Sequence, residues 1–244
     1  GTFPNHHPDP SIEDNLKELK KEVLKEKADV GLAFDGDGDR VGIISSKGNF
    51  IPMDYYMIII IRDIINKVAN KTFLYDVKCS KALEDEIVKL GGTPYCYRTG
   101  NSYTRSKVLE LDLAFGGELS GHVYFRDRYL GFDSGLYAGL RLLEILSWTD
   151  KTVDELLEGI TQYISTPEIK YPSTDTKKIE VVKKVEEYCQ LKAYNTNTID
   201  GVRVSFEDGW ASVRYSNTGP NITGRYEAKN KERLEAIKEE FETL

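Results

Sequence analysis

At 244 residues and 40% hydrophobic content, the chain is long enough to bury a sizeable core in one or two domains. Its formal net charge of −7 and pI of about 5.2 create a field that repels nucleic acid and acidic membrane surfaces, so neither is expected as a partner and any anion site must be local. Cys79, Cys96 and Cys189 show no CxxC spacing, which argues against a zinc site or a disulfide framework and points to a reducing, cytoplasmic setting. The longest aliphatic run, Met57 to Ile61, stops at Arg62, far short of the roughly 20 apolar residues of a membrane span.

Ser11-Ile-Glu-Asp14 reads as a capping box that opens a helix, with Leu16, Leu19, Val23 and Leu24 as its apolar stripe. A strand is expected over 29–34 and another over 41–44, followed by a turn at Lys47-Gly48-Asn49. Residues 53–70 read as a buried helix. The pattern then alternates: strand 72–77, helix 80–90, strand 94–98, helix 102–110, a strand near 113, and helix 133–148 with Leu136, Leu140 and Leu143 on one face. Short apolar strands alternating with helices of this length predict parallel α/β organisation. Pro167, Pro172 and a Ser/Thr-rich stretch mark 149–175 as a linker. Beyond it come helix 176–190, a hairpin turning at Glu207-Asp208-Gly209, a strand over 222–228 and a closing helix over 231–242, which together make a small α+β unit.

Three segments carry chemistry. Phe34-Asp-Gly-Asp-Gly-Asp-Arg40 sets Asp35, Asp37 and Asp39 at i, i+2 and i+4 on a loop between two strands, where the glycines let the backbone curl inward. Three like charges so close repel unless a cation sits among them, and hard oxygen ligands favour magnesium over zinc. An EF-hand is excluded, because its glycine position is Arg40 here and its bidentate glutamate position is Ser46. Gly116-Gly-Glu-Leu-Ser-Gly-His122 gathers Glu118, Ser120 and His122 on a glycine-rich loop able to hydrogen-bond adjacent sugar hydroxyls. Arg214-Tyr-Ser-Asn-Thr-Gly-Pro220, with Arg225 close behind, offers guanidinium forks plus Ser216, Asn217, Thr218 and turn amides to phosphate oxygens.

In this order the three segments resemble the alpha-D-phosphohexomutases, in particular the bacterial phosphomannomutase/phosphoglucomutase branch, and Phe3-Pro-Asn-His-His-Pro-Asp-Pro10 resembles the stretch before that family's metal loop. The resemblance implies an α/β fold of three-layer domains with mixed sheets followed by a small α+β C-terminal domain. It also implies domains at 1–49, 50–161 and 162–244: the later half of domain 2, then domains 3 and 4. The implied activity is reversible phosphoryl transfer between O1 and O6 of a hexose phosphate, through a phosphoserine and a 1,6-bisphosphate intermediate, with Mg2+ on Asp35, Asp37 and Asp39. Arg40 and Lys78 would act on the reacting groups. Glu118 and Ser120 would grip the sugar's 3- and 4-hydroxyls beside His122, and the Arg214 loop with Arg225 would hold the distal phosphate.

Arg98-Thr-Gly100-Asn101-Ser102 is similar to a family stretch in which Asn101 is a substrate-contacting histidine and Arg98 a lysine. An amide there can donate a hydrogen bond but cannot carry charge. Nothing in the chain supplies the serine loop, so it reads as a fragment, a proteolytic product or one half of a split enzyme whose partner, an N-terminal half, bears the phosphoserine, and the chain alone is not expected to turn over. Glucose 1,6-bisphosphate is the implied activator. A noncatalytic phosphosugar-binding module is the alternative reading.

Overall fold

In the computed structural model, which describes residues 1–216 and 219–244, the chain divides into two compact units. The first comprises residues 1–79 and 83–160, the second 161–244 with 80–82.

The first unit opens with a 3-10 turn, Glu13–Leu16, that runs into α1, Lys17–Glu26. The expected capping box does not form. Ser11 Oγ donates instead to Asp9 Oδ1 at 2.7 Å, and the helix start has no side-chain cap. Leu16 and Val23 are buried and Leu19 packs against them, whereas Leu24 is 49% exposed. Strands β1, Val30–Phe34, β2, Val41–Ser45, and β3, Phe50–Ile51, form an antiparallel sheet in the order β1-β2-β3.

Helix α2, Met53–Ile64, is apolar on nearly all sides and accordingly buried along its length. It ends six residues before the expected bound. Lys67 N donates to Ile64 O in a tight turn, Asn70 Oδ1 accepts from Thr72 N, and Asn70 Nδ2 donates to the carbonyls of Leu111 and Asp112. Those side-chain bonds give the backbone an alternative to continuing the helix.

Next come β4, Thr72–Asp76, α3, Lys81–Lys89, β5, Thr93–Tyr97, α4, Asn101–Glu110, β6, Phe115–Gly117, and β7, Val123–Phe125. The sheet order is β5-β4-β6-β7, parallel across the first three and antiparallel at β7, a mixed sheet as the resemblance implies. The strand expected near 113 is β6, which starts at Phe115 because Leu113 closes α4: its N–H bonds the Val108 carbonyl after Asp112 turns left-handed at φ +49°.

Helix α5, Gly135–Ser147, carries the leucines of the expected stripe on one face, and that face is the outer one. Leu136, Leu140 and Leu143 are exposed, while Gly135, Ala138, Gly139, Leu142 and Ile145 face inward. The helix lies so near β1 that a Cβ on Gly139 would sit 2.8 Å from Leu32 Cδ1, leaving no room for a leucine on that side. Helix α6, Val153–Leu156, starts at a full capping box between Thr152 and Glu155.

The second unit takes in most of the expected linker. Strands β8, Ile164–Ser165, and β9, Ile169–Pro172, both pair with a later strand, so much of the 149–175 stretch is ordered structure. After α7, Asp175–Leu191, come β10, Asn195–Asn197, β11, Val202–Phe206, β12, Gly209–Tyr215, β13, Asn221–Ala228, and α8, Lys231–Glu242. The sheet runs β10-β11-β12-β13-β8 with β9 also on β13. Val204, Ala211, Val213 and Tyr226 on one sheet face meet Val185 and Cys189 of α7 and Ile237 and Phe241 of α8 in a single core. Among the described residues no helix is long and apolar enough to cross a membrane.

Candidate functional site

The acidic loop sits between β1 and β2 and is fastened by its own first carboxylate. Asp35 Oδ1 accepts from the N–H groups of Gly38 and Arg40, both at 3.1 Å, and Oδ2 accepts from Arg40 Nε at 2.7 Å. Gly38 makes the required left-handed turn at φ +78°, and its carbonyl accepts from the N–H of Gly135 at the start of α5. Arg40 also reaches Asp9 at 3.3 Å. Burial opposes ionisation of Asp35, yet its bonds to Arg40 hold the carboxyl below the ordinary value.

Asp37 is exposed, and one oxygen from each of Asp35, Asp37 and Asp39 lies within 4.8 Å of the others. Asp39 Oδ1 is buried with no hydrogen-bond partner, and burial with the neighbouring Asp35 charge pushes its carboxyl up to about 6 despite His122 nearby. A buried, unpartnered carboxylate oxygen on a residue of this set of hard oxygen donors fits a magnesium ion. A second grouping, Asp39 with His122 and Asp133, shares that aspartate, but there His122 and Asp133 already bond each other at 2.8 Å.

The glycine-rich loop joins β6 to β7 and approaches the acidic loop closely: a Cβ on Gly121 would lie 3.1 Å from Arg40 Cβ. His122 Nδ1 donates to Asp133 Oδ2 and stands 3.6 Å from Asp39 Oδ2. Burial works against the imidazolium, but Asp133 and Asp39 outweigh it and the imidazole pKa is raised. Asn101 Nδ2 donates to the same Asp133 oxygen at 2.5 Å. Glu118 is almost fully buried. Its Oε1 accepts from Thr104 Oγ1 at 2.6 Å and from the Gly100 amide at 3.2 Å, and its Oε2 accepts from Ser120 Oγ at 3.4 Å. Burial and the charge of Asp76 raise its carboxyl.

Lys78 follows β4, its Nζ 3.7 Å from Asp76 Oδ2. Asp76 is fully buried and accepts from the N–H groups of Lys78 and Leu119, from Thr99 Oγ1 and from Cys79 Sγ. Arg98 stacks over the Tyr103 ring at 3.9 Å with its Nε buried and unpartnered. The first unit thus gathers Asp35, Asp37, Asp39 and Arg40 with His122 and Asn101, and the strap through Asp76 ties Lys78 to the 99–101 and 118–122 segments.

In the second unit, Arg214 near the end of β12 pairs with Thr223, and Arg225 on β13 pairs with Ser212, so both arginines stand on one face of the sheet. Arg214 Nη2 bonds Asp200 at 2.8 Å, while the Nε atoms of Arg214 and Arg225 and the hydroxyls of Ser212 and Thr223 are buried without partners. The amide of Ser216 donates to Asn221 O, and Lys178 on α7 donates to the carbonyls of Ser216 and Gly219. Asn217 and Thr218 lie outside the described residues.

Three residues escaped the sequence reading. Asp76 carried a faint signal as the charged end of an apolar strand, and Asp133 as the residue before the Ser134 cap of α5. Lys178 carried none, being one of many lysines on α7.

Comparison with known proteins gives this arrangement its relatives. Residues 1–48, 52–163 and 168–244 match, in order, phosphoglucomutase/phosphomannomutase alpha/beta/alpha domain II, alpha/beta/alpha domain III and the C-terminal domain. The chain is 42% identical over 241 residues to phosphomannomutase/phosphoglucomutase of Pseudomonas aeruginosa, covering 99% of this chain and 52% of that protein. It is 39% identical over 246 residues to phosphoglucomutase of Neisseria gonorrhoeae, covering 100% of this chain and 53% of that one. The crystal structure of a phosphoglucomutase/phosphomannomutase family protein from Burkholderia thailandensis superposes with a TM-score of 0.90 at 36% identity, over 99% of this chain and 51% of its own. The chain therefore spans about half the length of these relatives, and it belongs to the phosphoglucomutase/phosphomannomutase family.

Proposed function

We propose that this chain is the carboxy-terminal part of a phosphomannomutase/phosphoglucomutase, which moves a phosphoryl group reversibly between O1 and O6 of a hexose phosphate. Its partner in the reaction is an N-terminal half bearing the phosphoserine. The observation that carries the reading is the clustering of Asp35, Asp37 and Asp39 oxygens together with the unpartnered, buried Oδ1 of Asp39. Magnesium held there would supply Lewis acidity to the transferring phosphoryl group.

The chain's own residues prepare the site around it. Asp35 and Asp9 hold Arg40 from two sides, so its guanidinium is fixed before substrate arrives and can stabilise developing negative charge without reorganising. Lys78, anchored by Asp76, presents a cation at the carboxyl end of a parallel strand, where ligands gather in open α/β sheets. Glu118 and Ser120 hold the sugar hydroxyls, with the Thr104 and Gly100 bonds keeping the Glu118 carboxylate in place, and His122 and Asn101 stand beside them. The phosphate remote from the reacting centre falls to residues 216–218 and to Arg214 and Arg225, whose guanidinium nitrogens, the Nε atoms among them unpartnered, match phosphate oxygens. The three cysteines, none of them in a disulfide, suit a reducing cytoplasm.

Isothermal titration with mannose 6-phosphate and with glucose 1,6-bisphosphate in magnesium tests this. Binding by the intact chain that is lost in both Arg214→Ala and Glu118→Ala supports the assignment. Binding indifferent to magnesium and to both substitutions refutes it.

A further inference from the structure

Arg214 has a carboxylate of its own. It comes from the turn between β10 and β11, where Asn197 Oδ1 accepts from the N–H of Ile199 and Asp200 and Gly201 follow. Asp200 Oδ2 accepts from Arg214 Nη2 at 2.8 Å, and a second carboxylate oxygen, Glu168 Oε2, stands 4.0 Å from Nη1. The Asp200–Arg214 pair is largely withdrawn from water, with side-chain exposures of 9% and 13%. It therefore escapes much of the screening that makes surface ion pairs weak.

The backbone is shaped to bring the two side chains together. Strand β11 pairs with β12 from Val202 opposite Val213, which sets Gly201 alongside Arg214 just beyond the paired residues. Gly201 has φ +72°, and a Cβ there would lie 2.5 Å from Val213 O and 2.8 Å from Arg214 Cα. Both are backbone atoms that cannot swing aside, so only glycine lets the chain pass this close, and Asp200 is the residue beside it. On charge alone, a carboxylate next to an anion-binding arginine is a disadvantage, because it repels the anion. Orientation works the other way. A long arginine side chain loses rotamer freedom when it grips a ligand unless it is already held. Asp200 bonds Nη2 and leaves Nε, which is buried without a hydrogen-bond partner among the described residues.

We propose that Asp200 is a positioning residue of the phosphate site: its hydrogen bond fixes the Arg214 guanidinium before the ligand arrives, and it raises phosphate affinity in spite of its charge. The inference rests on the reading of Arg214 as a phosphate ligand.

The test is isothermal titration of the chain with inorganic phosphate and with mannose 6-phosphate, for the unaltered protein and for Asp200→Ala, Asp200→Asn and Arg214→Ala. The Arg214 Nε–H resonance is followed by 1H–15N NMR in the ligand-free state. Charge and positioning predict opposite signs, so the direction of the change decides. Positioning predicts that Asp200→Ala binds both ligands about tenfold more weakly or worse, although it removes a negative charge. Its Nε–H signal should merge with those of freely moving arginines. Asp200→Asn, which keeps an acceptor oxygen for Nη2 without the charge, should recover most of the loss. Affinity that is unchanged or higher in Asp200→Ala overturns the proposal, as does a loss equally large in Asp200→Asn. Should Asp200→Ala fail to fold, Asp200→Glu replaces it: the charge stays and the carboxylate moves by a methylene, so weaker binding supports positioning and equal binding overturns it. Phosphate binding that is absent from the unaltered chain, or indifferent to Arg214→Ala, defeats the reading of Arg214 as a phosphate ligand, and this inference falls with it. Binding lost in Arg214→Ala yet undiminished in Asp200→Ala defeats the role of Asp200 alone.

Discussion

Replacing Gly135 by alanine sets two effects of opposite sign against each other. Alanine is the better helix former by up to about 1 kcal/mol in a helix interior, and by less at the first position, so propensity alone would stabilise the variant slightly. Space argues the other way. A Cβ on Gly135 would lie 2.4 Å from the Arg40 carbonyl oxygen, 2.7 Å from its carbon and 3.0 Å from the Gly38 oxygen. These are backbone atoms of the acidic loop, so no side chain can swing aside. Restoring ordinary contact distances needs a displacement of roughly 1 Å, and overpacking of that kind costs about 1–3 kcal/mol. The clash outweighs the propensity. Helix α5 is held by Leu142 in the core and by the bond from Tyr56 Oη to Ala138 O, so the loop should give way and its carboxylates should lose their spacing. Urea unfolding should show a loss of about 1–2 kcal/mol, and calorimetry at least a tenfold weaker magnesium affinity. The control is Ser134→Ala, which removes the cap bond to Tyr137 N and about 1 kcal/mol without touching the loop. A Gly135→Ala variant as stable as the parent, with the same magnesium affinity, would refute the reasoning.

Asp37 is exposed, so Asp37→Asn should leave the metal-free chain within about 0.5 kcal/mol of the parent in denaturant titrations while weakening magnesium binding in calorimetry. In the second unit, Ile237→Ala opens a cavity between α8 and the sheet and should cost about 2–5 kcal/mol in chemical unfolding. Asp76 offers a pH test. Burial disfavours its charge, but Lys78 and donors from Cys79, Leu119 and Thr99 hold its carboxyl below the unfolded value of 3.8. A depressed carboxyl contributes stability that is complete above its unfolded pKa and lost as pH falls through the folded one. Asp76→Asn should therefore melt lower than the parent at pH 7, with the gap narrowing as the pH is taken below about 4. A gap that stays constant from pH 7 to pH 2 would mean that the Asp76 charge contributes nothing.

Most of the architecture was legible because its signals are local. The closing helix at 231–242, the strand at 41–44 and the alternation from 72 to 110 follow from apolar spacing and turn residues, and the structure places them within a residue or two. The sequence was silent or misleading where a distant contact decided the outcome. Leu136, Leu140 and Leu143 share a face, as their spacing says, but spacing cannot tell which face the neighbouring sheet leaves room for. The close approach of Leu32 to Gly139 settles that. The short strands at 164–165 and 169–172 exist because β13 is there to pair with them, and two prolines nearby made the stretch read as a linker. Among the candidate site residues, the ones named from the sequence sit on motifs with an unusual density of glycine and charge. The ones missed hold those motifs from beneath, with ordinary residue types in ordinary surroundings.

Asp76 and Glu118 show why the supporting residues matter as much as the motifs above them. Both carboxylates are buried, and burial alone would push both toward neutrality. Their environments push them apart. Asp76 collects two N–H groups, a hydroxyl, a thiol and the Lys78 cation, so it is held ionised. Glu118 collects fewer donors and feels the Asp76 charge, so it is raised. The donors to Asp76 come from three separate segments: 77–79 after β4, Thr99 before α4, and Leu119 in the glycine-rich loop. One ionised carboxylate thus fixes the relative positions of Lys78, the 99–101 stretch and the sugar-loop candidate. A neutral isostere at position 76 would keep the volume and loosen all three segments at once. The chain's net negative charge is compatible with an anionic substrate on the same logic, because Asp35, Asp76 and Asp133 are each bonded to a neighbouring cationic or donor group. The field that reaches a phosphate is then set by the arginine and lysine side chains left with free donor atoms, not by the formal sum over the sequence.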